Sequence, residues 1–251
     1  MAEEKKVVLI TGSSRGIGAA LARSFAEKGY AVAINYLKSE RAAGQLQEGI
    51  DARYGVGTAV AIRADVGSRS DVSQLFEQVT ARLNRVDVLI NTAGLNIDKP
   101  FLEMTDEDWS TVLGTILTGT FICSQEFARR YRGEAGHIIT IGAVTALRGR
   151  KNGANYCSAR AGILTLTKCM AMELAPRIRV NCVTPGYINT EEVIERYKLD
   201  EQENLKRALS SIPMSRLGTP EDVFQIINFI VNTSSYVTGQ NYFVDGGSYM
   251  H

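Results

Sequence analysis

A glycine-rich turn constrains what this chain can fold into more than any other stretch does. Residues 11–18 read Thr-Gly-Ser-Ser-Arg-Gly-Ile-Gly, after a short apolar run and before an amphipathic helical pattern. In a strand, turn and helix of this kind, the helix N-terminus offers free N–H groups and partial positive charge to a pyrophosphate. Gly12 can adopt a positive φ, Gly16 lets a ligand approach the backbone, and Gly18 lets the helix pack close to the strand. A tight strand-to-helix turn without a ligand is the alternative interpretation.

Apolar runs alternate with helical patterns along the whole chain, which favours repeated βαβ units. Seven strands are predicted, at Val7–Thr11, Ala31–Tyr36, Thr58–Ala64, Val86–Asn91, His137–Ile141, Ile178–Val183 and Tyr242–Val244. Right-handed crossovers between such strands predict an α/β fold, with a mainly parallel seven-stranded sheet and helices on both faces. Ligands of such sheets bind at the carboxyl ends of the strands, near the switch in strand order.

Composition narrows the classes of partner and compartment. The 251 residues carry a net charge of +1, which argues against a broad surface for nucleic acid or membranes. Cys123, Cys157, Cys169 and Cys182 have no metal-like spacing and lie in apolar stretches, so we expect buried free thiols and no metal site. The charged N-terminus precedes an apolar run too short for a signal peptide, so a cytoplasmic protein is expected. His137 begins a predicted strand and is expected to be structural.

The end of the second predicted strand indicates which dinucleotide the chain prefers. A site for NAD(H) usually carries an acidic residue there for the ribose 2′-hydroxyl. This strand ends in Asn35 and Tyr36, Lys38 and Arg41 follow it, and Arg15 lies in the glycine turn. A positive site without a carboxylate suits a 2′-phosphate, so the sequence favours NADP(H) over NAD(H). A solvated loop position for Arg15 is the alternative.

Two further strand ends are expected to contact the cofactor. Asp65, which precedes Val66, could accept a hydrogen bond from an adenine amino group or could cap the helix that begins near residues 68–71. The next strand ends in Asn91-Thr92-Ala93-Gly94, where small residues let the backbone approach a cofactor. Asn91 could instead connect neighbouring strands.

These motifs, T-G-x-x-x-G-x-G, then D-V, then N-x-A-G, resemble those of the short-chain dehydrogenase/reductase family. Further matches are Tyr156 with a basic residue four positions on, P-G-Y-I-N-T at 185–190, R-L-G-T-P-E-D at 216–222, V-T-G-Q at 237–240 and V-D-G-G at 244–247. Within the family the chain is similar to the beta-ketoacyl-[acyl-carrier-protein] reductases. The resemblance implies one Rossmann-like doubly wound domain over residues 1–251, with a lid over the substrate at about 188–214.

The resemblance also implies a set of cofactor contacts. The expected cofactor-binding residues are Gly12, Ser14, Arg15, Gly16, Ile17, Gly18, Asn35, Tyr36, Asp65, Val66, Asn91, Ala93, Gly94, Tyr156, Arg160, Pro185, Gly186, Ile188 and Thr190. Ile188 and Thr190 match positions that bind the nicotinamide carboxamide, whereas a plain strand-to-loop turn is the alternative for Pro185 and Gly186. The lid segment is heavily charged from Glu191 onwards, and a solvated helix face is its alternative interpretation.

The family's chemistry rests on an Asn, a Ser, a Tyr and a Lys, of which this chain keeps only the Tyr, Tyr156. Arg160 stands at the Lys position, Ala143 at the Ser position and Ile116 at the Asn position. Arg160 keeps the positive charge but is a poorer proton relay, because Arg stays protonated. Ala143 cannot donate a hydrogen bond to the substrate oxygen, a loss that costs about 10²–10³ in rate elsewhere. Ile116 cannot position a water, and Thr145 is a candidate substitute hydroxyl.

Three functions therefore remain open. The first is an NADP(H)-dependent reductase of ketoacyl thioesters with weakened turnover. The second is a lyase or dehydratase that uses Tyr156 as a general acid–base, and the third is an inactive subunit that pairs with an active homologue. The resemblance implies a homodimer or homotetramer that assembles through helices around Asp106–Tyr131 and Asn152–Ala175. It also implies an acyl carrier protein as partner, with Arg132 and Arg177 near the pocket mouth.

Overall fold

A parallel sheet lies at the centre of the computed structural model, which describes residues 5–250. The strands are β1 Val7–Thr11, β2 Ala31–Tyr36, β3 Ala59–Arg63, β4 Val88–Asn91, β5 Gly136–Ile141, β6 Ile178–Pro185 and β7 Asn241–Val244. Their order is β3-β2-β1-β4-β5-β6-β7, and all six pairings among these strands are parallel. The strand order reverses beside β1, where Val8 pairs with Val32 on one side and with Val88 on the other. The predicted α/β fold is thus confirmed.

Helices cover both faces of the sheet. They are α1 Gly16–Glu27, α2 Glu40–Tyr54, α3 Arg69–Leu83, α4 Asp106–Leu113, α5 Gly119–Arg130, α6 Thr145–Arg148, α7 Ala154–Leu174, α8 Glu191–Tyr197, α9 Gln202–Ser210 and α10 Pro220–Asn228. Successive side chains of a strand point to opposite faces. Val8 and Ile10 of β1 accordingly pack with α1, α2 and α10, whereas Val7 and Leu9 pack with α3, α5 and α7. Two apolar cores result, one on each side of the sheet.

The observed strand ends differ from the predicted ones by up to two residues. β4 begins at Val88 rather than Val86. Just before it, Asp87 contacts β1 in two ways: its N–H donates to the Val7 carbonyl at 2.8 Å, and its carboxylate accepts the Val7 N–H at 2.9 Å. β6 continues beyond its predicted end to Pro185, which pairs with Val244 of β7. A proline is tolerated there because strand ends and edges need fewer ladder donors than strand centres do.

The helix predicted around Asp106–Tyr131 is interrupted. Between α4 and α5, residues Gly114–Thr118 form a π-helical segment with Ile116 at its centre. The Thr120 hydroxyl donates a hydrogen bond to the Ile116 carbonyl at 2.7 Å, which satisfies an acceptor in this widened turn. Ile116, at the position where the resemblance implies an Asn, therefore lies in this π-helical segment rather than in a regular α-helix.

The cysteine prediction is correct for two residues of the four. All four thiols are free, and Cys123 and Cys182 are buried, with burial raising the pKa of Cys123 to about 12. Cys157 is half-buried and Cys169 is exposed, so the prediction of a buried thiol is wrong for Cys169. Its helix, α7, also exposes 76% of Met172, so apolar residues of this helix lie on its outer side as well as its inner one. An apolar neighbourhood could not indicate which side faces inwards.

Two negative findings apply to residues 5–250. None of the helices described there is long and apolar enough to cross a membrane. The side chains described in that range also include no group of three or more His, Cys, Asp or Glu that could hold a metal ion.

Candidate active site

A cavity of about 870 Å³ lies at the carboxyl ends of the central strands. It extends from the glycine turn after β1 to the start of α7, beside the point where the strand order reverses. Its lining includes most of the predicted site residues: Gly12, Ser14, Arg15, Gly16, Ile17, Gly18, Asn35, Tyr36, Asp65, Val66, Ala93, Gly94, Ala143, Tyr156, Arg160, Pro185, Gly186 and Thr190. Ligands of doubly wound sheets bind at this place in the fold.

The glycines of the first turn serve two different purposes. Gly12 has φ +60°, and a Cβ there would lie 2.7 Å from the Ala93 Cα. A Cβ at Gly18 would lie 2.8 Å from the Ser13 Cα, so both of these glycines permit close packing. Gly16 has φ +57°, yet a Cβ there would meet nothing within 4 Å. The backbone at Gly16 therefore faces open space in the cavity.

The N-terminus of α1 fits an anionic ligand. Arg15 is the N-cap residue, its side chain makes no capping hydrogen bond, and the first turn contains no acidic residue. The first N–H groups of a helix have no partner within the helix itself. The donors at this end of α1 thus point towards the cavity with the partial positive charge of the helix dipole, as a pyrophosphate requires.

Asn35 connects the glycine turn to the neighbouring strands. Its side-chain oxygen accepts the Gly12 N–H at 3.1 Å, and its side-chain amide donates to the Ala64 carbonyl at 3.1 Å. The Ser13 N–H donates to the Asn35 backbone carbonyl at 2.9 Å. With only 2% of its surface exposed, Asn35 holds the turn in shape and leaves little of itself for a ligand.

The end of β2 presents positive charge to the cavity. Arg15 and Lys38 line it, whereas Arg41 lies outside the lining. One acidic residue that the sequence analysis did not consider, Glu40, lies beside Tyr36, and burial together with this carboxylate raises the pKa of the Tyr36 phenol. Glu40 is also outside the cavity lining, so the charged residues from the glycine turn and the end of β2 that line the cavity are the two cations.

Asp65 stabilises a turn and does not cap a helix. Its carboxylate accepts the Gly67 N–H at 2.8 Å. Ser68 is the N-cap residue of α3, and its hydroxyl accepts the Asp71 N–H at 3.4 Å. The capping alternative for Asp65 is therefore wrong, while Asp65 and Val66 both line the cavity.

Asn91 and Ile188 lie outside the cavity lining. The Asn91 amide is buried and donates to the Ser124 hydroxyl at 3.1 Å, so it connects β4 to α5. Ile188 is 1% exposed, forms a parallel bridge with Gly218, and would contact a Cβ at that glycine at 2.7 Å. In this structure the Asn91 side chain joins two secondary-structure elements, and the Ile188 side chain packs in an apolar core.

Arg160 packs against the ring of Tyr156. Tyr156 lies in the first turn of α7 and lines the cavity. The guanidinium carbon of Arg160 is 5.3 Å from the ring centroid of Tyr156, and its Nη1 donates to the Ile141 carbonyl at 2.5 Å. Its Nη2 would lie 2.7 Å from a Cβ at Gly94. Arg160 is 6% exposed, so it fills the space between β5, Gly94 and Tyr156.

The wall behind Tyr156 is apolar. Ile116 is fully buried and belongs to a cluster with Val112, Ala159 and Ile163, against which Tyr156 packs. Ala143 follows β5, is 9% exposed and lines the cavity with a methyl group. Neither position offers the hydrogen-bonding group that the family usually places there.

Comparison with known proteins decides the family. The family model described as Enoyl-(Acyl carrier protein) reductase matches residues 12–249. A 3-oxoacyl-[acyl-carrier-protein] reductase of Synechocystis sp. is 38% identical over 249 residues, covering 98% of this chain and 97% of its own. A short-chain dehydrogenase/reductase (glucose/ribitol dehydrogenase) from Brucella melitensis has a crystal structure that covers both chains completely, with a TM-score of 0.88 and 28% identity.

The chain belongs to the short-chain dehydrogenase/reductase family. Within that family it resembles the beta-ketoacyl-[acyl-carrier-protein] reductases, as a second relative also indicates. That relative, a 3-oxoacyl-[acyl-carrier-protein] reductase of Chlamydia pneumoniae, is 37% identical over 247 residues and covers 96% of each chain.

Arg132 and Arg177 lie away from the cavity of this short-chain dehydrogenase/reductase. They come shortly before β5 and directly before β6, at the amino edge of the sheet. Arg132 donates to the Arg129 carbonyl at 2.6 Å, and Arg177 donates to the Tyr131 carbonyl at 3.4 Å. Because the cavity is at the opposite edge, the expectation that they border its mouth within one chain is wrong.

The segment expected to act as a lid contains α8 and α9. Four residues of α8 line the cavity: Glu192, Val193, Arg196 and Tyr197. Arg196 forms an ion pair with Glu192 one turn earlier and a second with Asp98, at 3.3 Å. Part of this charged helix face therefore borders the cavity. The alternative interpretation, a face in contact with solvent alone, does not account for this contact.

The sequence analysis assigned neither Asp98 nor Arg150 to the site. Two hydrogen bonds, of 2.5 and 2.7 Å, join the Arg150 guanidinium to the Asp98 carboxylate. The guanidinium carbon of Arg150 is also 5.4 Å from the ring centroid of Tyr156. The sequence offers one weak signal for this, an Arg six positions before the Tyr. Asp98 and Arg150 are 52 positions apart, and no motif links them.

Proposed function

We propose that this chain binds NADP(H) and reduces the ketone of a 3-oxoacyl thioester, the acyl group being carried by an acyl carrier protein. We further propose that Tyr156 is the proton donor and that turnover is slower than in relatives with the usual Asn, Ser and Lys. One observation carries this proposal: a single cavity joins the open N-terminus of α1 to Tyr156. Its volume of about 870 Å³ lies within the range of roughly 300–1,000 Å³ that ligand pockets occupy.

The residues at one end of the cavity suit a dinucleotide. The free N–H groups at the start of α1 would hold the pyrophosphate, and the open space at Gly16 leaves room for it. Arg15 and Lys38 would contact a ribose 2′-phosphate, because both line the cavity near the end of β2. This positive charge supports NADP(H) over NAD(H).

At the other end, Tyr156 faces the position of the reacting carbonyl. The reduced nicotinamide supplies the hydride when it is bound. The Tyr156 hydroxyl gives its proton to the substrate oxygen, and the Arg160 charge beside the ring favours the phenolate that remains. Ala143 donates no hydrogen bond, so Tyr156 acts without the second donor, at a cost of about 10²–10³ in rate. Thr145 also lines the cavity and is the candidate for a replacement hydroxyl.

The proton that Tyr156 loses has to return through the cavity. Arg160 stays protonated, and one of its N–H groups is bonded to the Ile141 carbonyl, so it does not relay a proton. Ile116 and its apolar neighbours close the wall behind Tyr156. Solvent in the cavity is therefore the proton source, and this slower route is a second reason to expect weak reduction.

A second candidate is a nucleotide-binding subunit that pairs with an active homologue. The three changed positions favour it, since Ile116, Ala143 and Arg160 remove polar groups or the proton relay while the glycine turn stays intact. The non-redox alternative, a lyase or dehydratase that uses Tyr156, is distinguished by turnover without NADPH.

We propose that the chain assembles as a homodimer or homotetramer through α4, α5 and α7. Apolar side chains on these helices support this, because Trp109, Phe121 and Met172 are 39%, 41% and 76% exposed. Large exposed apolar side chains are often found at contacts between proteins. Mixing the chain with an active homologue and measuring the mass of the complex tests the hetero-oligomeric alternative.

The deciding experiment compares the parent with an Ile116→Asn/Ala143→Ser/Arg160→Lys variant. NADPH consumption is measured with a 3-oxoacyl thioester, and we expect the variant to be faster by about 10²-fold or more, because a lost donor and relay are restored. Tyr156→Phe in each background is the control and should abolish turnover.

Each outcome leads to a different conclusion. Equal rates would mean that the altered set is fully catalytic and that the expected weakening is wrong. Turnover by the variant alone would support the subunit role for the parent. Turnover by neither protein would reject the reductase function, and product formation without NADPH would favour a lyase.

A further inference from the structure

Asp98, Arg150 and Arg196 form an ion cluster, and the two arginines line the cavity beside Tyr156. The Arg150 guanidinium donates to both oxygens of the Asp98 carboxylate, at 2.5 and 2.7 Å, and also to the Asn96 side-chain oxygen at 3.2 Å. Two parallel hydrogen bonds of this kind fix the plane of a guanidinium as well as its position. Arg196 of α8 reaches the same carboxylate with one hydrogen bond of 3.3 Å.

The Arg150 guanidinium is held against Tyr156 by this pairing. Its carbon lies 5.4 Å from the ring centroid of Tyr156, within the distance of about 6 Å at which a cation and an aromatic ring attract each other. The Arg150 side chain is only 15% exposed, so the contact is shielded from solvent. Arg160, fixed by the Ile141 carbonyl, lies 5.3 Å from the same centroid. Two anchored guanidinium groups therefore restrain one ring.

The position of this ring matters more here than in a site with a full set of donors. Ala143 supplies no hydrogen bond to a substrate oxygen, so the direction of the Tyr156 hydroxyl alone determines how the proton reaches it. A misplacement of 1 Å can cost about 10²-fold in rate.

We infer that Arg150 is a positioning residue for Tyr156, held in place by Asp98, and that Arg196 uses the same carboxylate to tie α8 to the cavity wall. The inference rests on the proposed function, because it takes Tyr156 as the proton donor. The two arginines that bind the Asp98 carboxylate thus have different roles: Arg150 affects the chemical step, and Arg196 affects substrate binding.

Steady-state kinetics separate these roles. We expect Arg150→Met to lower kcat about 10- to 100-fold with KM within twofold, and Arg150→Lys to recover part of the loss. Arg196→Met should raise KM more than it lowers kcat. Asp98→Asn/Arg150→Met should have the same kcat as Arg150→Met, because Asp98 acts on the ring through Arg150.

A matched control removes a similar ion pair elsewhere. Arg216 makes two hydrogen bonds of 2.8 Å to the Asp222 carboxylate, is exposed, and lies outside the cavity lining. Arg216→Met should therefore leave kcat and KM within twofold of the parent. If Arg150→Met leaves kcat unchanged, or if it changes kcat and KM as Arg196→Met does, the positioning role is wrong.

A second readout does not depend on turnover. The ten tyrosines are replaced by 3-fluorotyrosine, and Tyr156→Phe assigns the ¹⁹F resonance of Tyr156. Arg150→Met and Asp98→Asn should shift or broaden this resonance, whereas Arg196→Met and Arg216→Met should leave it in place. An unchanged resonance in Arg150→Met, or an equal change in Arg196→Met, would overturn the inference. If the parent has no turnover but the resonance responds as expected, the proposed reductase function fails and the positioning of Tyr156 by Arg150 stands.

Discussion

The Arg160 side chain fills the space between β5 and Tyr156. Its guanidinium combines a hydrogen bond to the Ile141 carbonyl with a contact to the Tyr156 ring, and it is 6% exposed. A Lys at this place would have one flexible ammonium group and no planar fork. Arg160 therefore keeps the charge near the ring but gives up the mobility that a proton relay needs.

His137 gives the structure a pH dependence that can be measured. It is 6% exposed, its Nδ1 has no hydrogen-bond partner among residues 5–250, and burial, with Arg179 and Lys6 nearby, lowers its pKa to about 4. The unfolded chain binds a proton near pH 6.5 but the folded chain only near pH 4, so stability is lost as pH falls between these values.

We expect the free energy of unfolding to fall by about 2 kcal/mol more in the parent than in His137→Gln between pH 7 and 4.5. Urea unfolding at both pH values measures this difference, and the comparison cancels the titration of all other groups. An equal decline in the two proteins would show that His137 is not held neutral.

At this scale the sequence predicts residues that share a helix and misses those that meet across loops. Tyr156 and Arg160 are four positions apart, one turn of α7, so their proximity follows from helix geometry. Asp98 and Arg150 meet because two loops after different strands converge at one edge of the sheet, and no local spacing encodes that approach.

The turn between β1 and α1 is the element on which the proposed cofactor binding depends. Its two positive-φ glycines differ in their surroundings, because a Cβ would clash with Ala93 at Gly12 and would meet open space at Gly16. A substitution at Gly12 should therefore destabilise the fold, whereas one at Gly16 should mainly fill space in the cavity.

We expect Gly12→Ala to lower the free energy of unfolding by about 3 kcal/mol, through strain and overpacking. Gly16→Ala should lower it by only about 1 kcal/mol, yet weaken NADPH binding at least tenfold, because its methyl group enters the cavity. Gly29→Ala is the matched control, with φ +87°, no atom within 4 Å and a place outside the cavity lining. Unfolding by urea and NADPH titration measure both effects; equal binding by Gly16→Ala and Gly29→Ala would contradict this role of the turn.

Apolar runs predict which strands exist better than where they end. β1 and β2 have the predicted bounds because every residue in them is buried. β4 begins two residues late because the Asp87 carboxylate, and not a backbone carbonyl, accepts the Val7 N–H, although the Asp87 N–H still donates to the Val7 carbonyl. β6 is longer because β7 adds partners as far as Pro185. The π-helical segment Gly114–Thr118 escapes a search for helical periodicity, since it changes the number of residues in one turn only.

Over the whole molecule the charge is nearly balanced, so the preference for a phosphorylated dinucleotide that we propose depends on where a few cations lie. The net charge is +1, while Arg15 and Lys38 line the cavity and the neighbouring Arg41 does not. The choice of cofactor is thus a local property, which binding measurements on the intact chain can test.

At a concentration of 100 times Kd, NADPH should stabilise the chain by about 2.7 kcal/mol and raise its Tm by about 5–10 °C. NADH at the same concentration should raise Tm by less, because Arg15 and Lys38 have no 2′-phosphate to contact. Arg15→Ala/Lys38→Ala should remove the difference between the two cofactors, and Arg41→Ala should preserve it. An equal or larger rise with NADH would contradict the NADP(H) preference.

The strand order also determines when the molecule can form during synthesis. β1 is the third of the seven strands, next to the central strand β4, which comes about 80 residues later in the chain, with Val8 paired to Val88. At roughly 5–20 residues per second, a ribosome needs several seconds to make that interval. Until then β1 has a free edge towards the future centre of the sheet, and the nascent chain has β2 and β3 on its other side. The part of the site formed by the glycine turn is therefore made several seconds before β4, and Tyr156 is synthesised later still.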